Sequence, residues 1–476
     1  MGFSTLTFLF FFLPATLAVY FAAWKLMRQN TVIPNLILCL ASLLFYWWGA
    51  GIQGIILLFL LISVNYFIGY LLRMRRSSLT LLVGVAFNCA VLIHYKYPQQ
   101  VFYALHGYLK GEEDLLAVVL PLALSFVFFH CVSYLVDIYR AKQKPGSREW
   151  QEFLNFSLYL LFFPKLVQGP IVPYGEMQPQ ITRRTVTLDS FSAGVQRFIF
   201  DLAKKVLLAD AFGVKLSQIN SATAIDTPTA WLGVLLFALQ LYLDFSGYSD
   251  MAIGLGRMFG FSLKENFNFP YLSKSISEFW RRWHISLGSW FREYIYIPLG
   301  GNRQGSVYLH LFIVFLLTGM WHGNTLIYVC WGVAHGICAM LERTRVYQSL
   351  KEKIPFFPVI GWIYTTFVVC LGWLCFRLEG IHAFFAYLKN LVGIGIGELT
   401  FTWRYFFTPK IILLIVIACG GMLILSRGRI QSMLQRLDES SRVFVVVKYL
   451  VLLLLFGLSF MSIVSNGYTP FLYATY

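Results

Sequence analysis

The sequence has 476 residues, of which 58% are hydrophobic, 18% are aromatic and only 13% are charged. Soluble domains carry about 25% charged residues, so this composition excludes an ordinary soluble globular protein. The formal net charge of +16 would suggest a nucleic-acid partner if the protein were soluble. Here the basic residues flank apolar segments long enough to cross a bilayer, as is typical of polytopic membrane proteins. The sequence therefore predicts an all-α polytopic membrane protein with about 10–13 membrane segments, including re-entrant ones.

Apolar segments recur along the whole chain and give the expected order of membrane spans. The windows long enough to cross a bilayer lie at about residues 3–24, 33–49, 52–72, 79–97, 115–138, 229–256, 307–323, 325–341, 358–377, 408–426 and 444–464. A further apolar segment at 153–172 is interrupted by Pro164, Lys165 and Pro170, which predicts a re-entrant segment that packs against protein. The block 264–306 carries too many charges to cross alone, so we expect it to line a cavity or to lie at the interface.

The charged loops indicate an orientation for these spans. Basic residues cluster at 25–28, 73–76 and 140–148, whereas the loop at 98–114 is acidic. If the N-terminus lies outside, the three basic clusters fall in the cytoplasm and the acidic loop falls outside, as the positive-inside rule requires. The same alternation places the C-terminal peptide outside, so both termini are expected to be extracytoplasmic.

The sequence carries no pattern for a metal site or for several common catalytic classes. The eight cysteines lie in or beside apolar segments without metal-ligand spacing, and we expect them to be buried packing residues. There is no His-Glu-x-x-His motif, no phosphate-binding loop of the Walker type and no Gly-x-Ser-x-Gly elbow. We therefore expect no metal and no bound cofactor, and neither ATP hydrolysis nor serine hydrolase chemistry.

One stretch, residues 278–324, concentrates charges, histidines and tryptophans in an otherwise apolar chain. Ionisable groups are costly at membrane depth, so such a cluster predicts a functional site. His322 lies between Trp321 and Gly323 near the end of an apolar segment, where an imidazole can exchange a proton near neutral pH. The alternative is a packing histidine that is hydrogen-bonded at a helix end.

A second histidine, His284, follows Arg281, Arg282 and Trp283. The neighbouring cations would lower its pKa and keep it a neutral base. The same arginines could bind an anionic ligand such as a phosphate-bearing acyl donor, because the guanidinium group matches phosphate geometry. The alternative is an interfacial belt of aromatic and basic residues.

Two carboxylates, Asp244 and Asp250, lie inside the apolar span at 229–256. Either they form part of a proton path, or they make hydrogen bonds between helices. The sequence does not decide between these two alternatives.

Six short motifs lie at residues 3–14, 163–172, 244–252, 266–271, 279–287 and 319–323. Taken together and in this order, they resemble the membrane-bound O-acyltransferase superfamily. Each motif alone is weak, but the set covers nearly the full length. It is most similar to the bacterial branch that contains the membrane subunits for alginate, peptidoglycan and exopolysaccharide O-acetylation.

The resemblance implies one transmembrane domain over residues 1–476, a helical bundle with a central funnel whose core motif block is 264–324. It implies transfer of an acetyl group from a cytoplasmic donor, with acetyl-CoA as the expected donor, toward a polysaccharide outside a bacterial plasma membrane. In the family pattern, His322 matches the catalytic histidine and His284 matches a second required histidine. The candidates to bind the phosphates of the donor are Arg281, Arg282 and Lys165.

The C-terminal tail, residues 468–476, resembles an aromatic C-terminal motif of some acyltransferases of this group. The small membrane peptide of teichoic-acid D-alanylation carries a similar motif, in which a tyrosine is proposed to carry the acyl group as an ester. By this resemblance Tyr473 is a candidate relay nucleophile activated by His322. The alternative is an aromatic anchor at the membrane interface. The sequence contains no esterase-like extracytoplasmic domain, so a separate partner is expected to finish the transfer.

Two interpretations from other classes stay open at the level of sequence. A transporter or flippase would also contain broken helices with polar groups at membrane depth, although the two related halves usual in transporters are not visible. A non-catalytic scaffold of a polysaccharide-export system would need neither histidine. The sequence does not name the polysaccharide and does not exclude D-alanyl transfer. Membrane lipids are expected partners, and nucleic acid is not.

Overall fold

The computed structural model describes residues 2–27, 30–97, 121–141, 149–378, 380–399, 401–466 and 471. Within these residues all regular structure is helical and no strand occurs, which confirms the predicted all-α class. The predicted acidic loop at 98–114, the basic residues at 142–148 and Tyr473 lie outside the described residues.

The described chain contains a long succession of helices. The first ten are α1 (Leu13–Leu26), α2 (Val32–Met74), α3 (Ser78–Lys96), α4 (Leu124–Ala141), α5 (Glu149–Leu161), α6 (Phe163–Leu166), α7 (Tyr174–Thr182), α8 (Leu188–Ala203), α9 (Asp210–Asn220) and α10 (Thr227–Met258). A π-helical turn at Phe8–Phe12 precedes α1, and a π-helical segment at Lys204–Ala209 joins α8 to α9.

The second series of helices begins in the charged central block. It consists of α11 (Ile276–Arg282), α12 (Ile285–Phe291), α13 (Val307–His322), α14 (Leu326–Leu341), α15 (Arg345–Lys353), α16 (Phe357–Arg377), α17 (Gly380–Leu391), α18 (Trp403–Phe406), α19 (Pro409–Leu425), α20 (Gly428–Ser440) and α21 (Arg442–Asn466). A 3-10 turn at Pro270–Leu272 precedes α11, and a π-helical turn at Arg292–Tyr296 follows α12.

Seven helical segments of the described chain are long and apolar enough to cross a membrane. They are α1 with its π-helical turn, α2, α3, α4, α10, α16 and α21. Helices α19 and α20 pass the same test together but are bent by 83°, and the apolar helices α13 and α14 are shorter. These lengths and compositions confirm that the chain is a multi-pass membrane protein.

Helix α2 is interrupted at Gly51, where φ is 64° and ψ is −169°. Glycine adopts positive φ at little steric cost, so the chain can bend here without a loop. The two spans predicted at 33–49 and 52–72 therefore meet at a single residue.

The first of two compact units comprises Met1–Val195, Met251–Lys264 and Ser289–Tyr294. Aromatic rings dominate its interior. The Tyr134 and Phe156 rings, from α4 and α5, have centroids 3.9 Å apart, and such pairs stabilise beyond their buried area. The predicted break at Pro164 is present, because α5 ends at Leu161 and only the short α6 follows.

The second unit comprises Gln196–Asp250, Glu265–Gly288 and Ile295–Tyr476. Its α13 and α14 form a helical hairpin that crosses closely at two glycines. A Cβ atom on Gly319 would lie 3.3 Å from Cα of Gly332, and one on Gly332 would lie 2.5 Å from the carbonyl oxygen of Phe315. Small residues let apolar helices approach in this way. The crossing fixes the C-terminal end of α13 against α14.

Candidate active site

His322 is the last residue of α13 and is only 6% exposed. Its ring meets the Trp331 and Phe376 rings edge to face, with centroids 5.1 Å away in each case. Gly323 follows in an extended conformation, and a Cβ atom there would lie 2.1 Å from Cδ2 of Tyr328. The turn thus requires glycine, and it holds an imidazole in an aromatic environment that excludes most water.

His284 occupies the junction between α11 and α12 in a left-handed conformation, with φ of 45°. Non-glycine residues adopt this conformation rarely, so local contacts must stabilise it. The amide of Asn266 provides them, because its Oδ1 lies 3.2 Å from Nδ1 of His284 and accepts from N–H and Oγ of Ser286 at 3.1 and 2.9 Å. Its Nδ2 donates to Oγ of Ser249 at 3.0 Å.

This hydrogen bonding sets the chemical form of His284. Since Oδ1 of Asn266 is an acceptor, Nδ1 of His284 carries the proton and Nε2 holds the lone pair. Burial lowers the pKa of His284 to about 3, because a low-dielectric environment disfavours the imidazolium. The neutral form of His284 was predicted from the neighbouring cations, but desolvation by burial is the dominant cause of its lowered pKa.

Asn266→Ala is expected to lower the free energy of unfolding by about 2 kcal/mol or more, because buried donors on His284 and Ser286 would lose their acceptor. Acyl transfer should fall as well, since His284 would no longer be held in its strained conformation. Thermal unfolding in detergent and an acyl-transfer assay check both effects. Asn268→Ala is the matched control, because that side chain is exposed. Equal behaviour of the two variants would contradict this role for Asn266.

An aromatic cluster links the segments that carry the two histidines. Trp283 packs on Trp373 with a centroid distance of 4.7 Å. Trp373 lies 5.5 Å from Phe376, which contacts the ring of His322. The two predicted histidines therefore belong to one packed region of the second unit.

A cavity of about 440 Å³ lies where α11, the end of α14, α15 and the start of α16 meet. Its lining contains four cationic side chains, Lys274, Arg281, Arg343 and Lys351. Among the described residues none of these four forms an ion pair. The cavity therefore presents an excess of positive charge that suits a ligand with several negative charges.

The two acidic side chains in this lining have partners within the protein. Glu342 accepts hydrogen bonds from the backbone N–H groups of Ile276 and Ser277. Glu278 forms a salt bridge with Arg282, with Nη2 and Oε1 2.8 Å apart. Arg282 is thus occupied by a structural contact, whereas Arg281 faces the cavity.

Lys165, the third predicted donor-binding residue, belongs to the first unit and is fully buried in α6. Its Nζ lies 4.5 Å from the centre of the Tyr159 ring and has no hydrogen-bond partner among the described residues. Gln168 is 1% exposed, and neither its Nε2 nor its Oε1 has a hydrogen-bond partner among the described residues. Buried polar groups without partners are costly, so both side chains are candidates to contact a bound group. Lys165 was predicted from the sequence, whereas Gln168 was not.

The carboxylates of α10 are paired with cations that were not predicted from the sequence. Asp244 lies 3.0 Å from Nζ of Lys205, and Asp250 lies 2.8 Å from Nζ of Lys204 and also pairs with Arg197. These ion pairs join α10 to α8 and the π-helical segment, which favours the packing alternative over a proton path. The sequence signal for these ion pairs was the presence of carboxylates in an apolar span, because ionised carboxylates at membrane depth require cationic partners.

Phe471 is the one described residue of the C-terminal tail, and it is 2% exposed. Its ring meets Tyr248 edge to face at 4.9 Å, and Nζ of Lys205 lies 4.8 Å from its centre. The tail is therefore fastened beside the Asp244–Lys205 ion pair. Tyr473 itself lies outside the described residues.

The fold and the site define a multi-pass α-helical membrane protein with buried histidines and a cation-lined cavity. The sequence matches the membrane-bound O-acyltransferase family over residues 109–384. It is 35% identical to the probable alginate O-acetylase of Pseudomonas putida, over 99% of each chain. It is 34% identical to the peptidoglycan O-acetyltransferase of Helicobacter pylori, over 83% of this chain and 80% of the other.

A more distant similarity links the chain to a teichoic acid D-alanyltransferase of Bacillus subtilis, at 27% identity over 55% of this chain and 69% of the other. The chain belongs to the membrane-bound O-acyltransferase family, as the motifs indicated. It is an O-acyltransferase, which decides between an enzyme and the transporter and scaffold interpretations.

Proposed function

We propose that this enzyme transfers an acetyl group from cytoplasmic acetyl-CoA across the bacterial plasma membrane for O-acetylation of an extracytoplasmic polysaccharide. The observation that carries the proposal is the environment of His322, a buried imidazole enclosed by aromatic rings at a helix end beside a glycine turn. Relatives named as a probable alginate O-acetylase and a peptidoglycan O-acetyltransferase support the acetyl group and the class of acceptor.

In the proposed reaction His322 is the general base. Its neutral imidazole takes the proton of the acceptor hydroxyl while the hydroxyl oxygen attacks the thioester carbonyl carbon. The C–S bond then breaks, and the thiolate of CoA takes the proton from the imidazolium. The apolar surroundings of His322 limit hydrolysis of the donor by water.

Donor binding is assigned to the cavity beside α11. Coenzyme A carries several phosphate groups, and Lys274, Arg281, Arg343 and Lys351 supply positive charge without internal ion pairs among the described residues. Guanidinium groups bind phosphate well because their N–H groups match its oxygen atoms. His284 is proposed as a second neutral base. Lys165, buried in the first unit without a hydrogen-bond partner among the described residues, stays a separate candidate for donor binding.

The test of this function uses the purified protein in nanodiscs with radiolabelled acetyl-CoA. We expect release of CoA and transfer of label to an acceptor, in the presence of a separate extracytoplasmic partner where the final step needs one. Failure to consume acetyl-CoA with candidate partners present would refute the donor, and a D-alanyl donor would be the next substrate to assay.

Tyr473 is proposed as an acyl relay on the outer side of the membrane. Burial of Phe471 against Tyr248 and Lys205 supports it, because this contact fastens the tail two residues before Tyr473. In this scheme the phenol is the acceptor hydroxyl: it gives its proton to His322 while its oxygen attacks the thioester carbonyl carbon. The C–S bond breaks, CoA leaves as the thiol, and the acetyl group stays on Tyr473 as an aryl ester that the partner then transfers to the polysaccharide.

Tyr473→Phe is expected to abolish the acetylated tail and to lower acetylation of the polysaccharide at least about 10²-fold, since the nucleophile is lost. Mass spectrometry of the intact protein, with the partner removed so that the ester accumulates, is the measurement. Tyr476→Phe is the matched control and should keep both signals. An unacetylated tail in the parent protein under these conditions would leave Tyr473 as an anchor and refute the relay.

A further inference from the structure

Two side chains of α14, Trp331 and His335, lie one helical turn apart. They are only 2% and 1% exposed, respectively. Trp280 from α11 packs against both rings at 5.6 Å. These three residues fill the space between α11, α14 and α16, beside the ring of His322.

The contact with Trp280 determines which nitrogen of His335 carries the proton. The indole N–H of Trp280 lies 3.3 Å from Nδ1 of His335. An indole nitrogen only donates, so Nδ1 must be the acceptor and the neutral ring carries its proton on Nε2. His335 therefore presents an N–H group on the side away from Trp280.

That N–H group and the indole N–H of Trp331 both lie next to Gly372 of α16. A Cβ atom on Gly372 of α16 would lie 2.8 Å from Nε2 of His335 and 3.1 Å from Nε1 of Trp331. The two donors are thus close enough for a single oxygen atom to accept from both. Within the described residues neither nitrogen has a hydrogen-bond partner.

Buried donors are nearly always paired in folded proteins, so two neighbouring donors without an acceptor among the described residues indicate a ligand oxygen. The acceptor must be close to His322, since the ring of Trp331 contacts that of His322 at 5.1 Å. A thioester undergoing attack at this histidine develops negative charge on its carbonyl oxygen, and paired N–H donors are the groups that stabilise such charge.

We propose that Nε1–H of Trp331 and Nε2–H of His335 bind the carbonyl oxygen of the acyl donor and stabilise the oxyanion of the tetrahedral intermediate. This assignment rests on the proposed function, because it takes the donor to be a thioester. The donors form no covalent bond. They hold the oxygen while the acceptor hydroxyl adds to the carbonyl carbon, and they release it when the C–S bond breaks and the carbonyl reforms. Trp280 is a positioning residue that fixes the tautomer of His335.

The kinetic test uses Trp331→Phe, which keeps a six-membered aromatic ring and removes the pyrrole ring with its N–H group. We expect kcat to fall about 10²-fold, as when one oxyanion donor is removed, while KM for the donor stays near the parental value. His335→Leu should behave in the same way. His335→Gln should retain most activity, because its amide can accept from Trp280 and donate to the oxygen. The matched control is Trp231→Phe, where the lost N–H bonds the carbonyl of Leu391, and its kcat should be parental.

A spectroscopic test separates carbonyl binding from packing around His322. A ketone analogue of acetyl-CoA, with a methylene in place of sulphur and a ¹³C-labelled carbonyl, binds without reacting. Its carbonyl stretch should lie at lower frequency in the parent protein than in Trp331→Phe, because hydrogen bonding weakens the C=O bond. Equal frequencies, or parental kcat in Trp331→Phe, would overturn this assignment and leave the proposed function intact. No turnover of acetyl-CoA by the parent protein would overturn the proposed function and this assignment together.

Discussion

Replacement of His322 by glutamine is expected to lower acyl transfer at least about 10²-fold, the usual contribution of a general base. Glutamine approximates the shape of the imidazole but cannot take a proton from the acceptor hydroxyl. Donor binding should persist, because the cations assigned to the donor line a cavity formed by α11, α14, α15 and α16 and do not include His322. The measurement is CoA release from acetyl-CoA in nanodiscs, with the binding of a non-reactive donor analogue measured in parallel.

His310→Gln is the matched control for this experiment. His310 is also buried in α13, where its Nδ1 lies 2.9 Å from the carbonyl oxygen of Gly301. The same chemical change on the same helix should leave most of the transfer rate, because His310 only holds a loop. If both variants lost activity equally, general disturbance of α13 would explain the effect, and His322 would lose its assigned role.

The second large effect concerns stability. Lys205→Met is expected to lower the free energy of unfolding by about 3–5 kcal/mol, the usual result of removing one member of a buried ion pair. Lys205 is 1% exposed and pairs with Asp244, itself 2% exposed, and with Asp210. Its loss would leave a buried carboxylate unpaired and would also remove the cation beneath Phe471. The midpoint of thermal unfolding in detergent is the measurement.

Two further variants test the origin of this loss. Lys215→Met makes the same change at a lysine of α9 outside the buried ion pairs, where it should have little effect. Combining Lys205→Met with Asp244→Leu and Asp210→Asn should recover much of the stability, because neither carboxylate partner of Lys205 then stays charged without its cation. If Lys205→Met unfolded at the same temperature as Lys215→Met, the ion pair would contribute nothing to the fold.

Several helices could be predicted from the sequence alone. The apolar windows at 79–97, 307–323 and 358–377 predicted helices that the structure places at Ser78–Lys96, Val307–His322 and Phe357–Arg377. Length and hydropathy decide such segments locally, because a backbone in lipid must satisfy its hydrogen bonds within the helix. The break at Gly51 was also visible as the junction of two predicted spans.

Other features depend on residues that are distant in the chain. The partners of Asp244 and Asp250 could not be read from composition, because Lys204, Lys205 and Arg197 meet them only through the packing of α8 and the π-helical segment against α10. The role of Asn266 in holding His284 is similar, since 18 residues separate the two side chains along the chain.

By itself the sequence determined the helical membrane class, the family and the histidines to test, because these follow from hydropathy and from short motifs of fixed order. Only the tertiary structure decided which polar groups find partners inside the protein. It showed that Arg282 is paired with Glu278, that Arg281 lines a cavity, and that the indole of Trp331 and the imidazole of His335 both lie next to Gly372. The physical reason is that burial and hydrogen bonding depend on which helices pack together, and no local pattern encodes that packing.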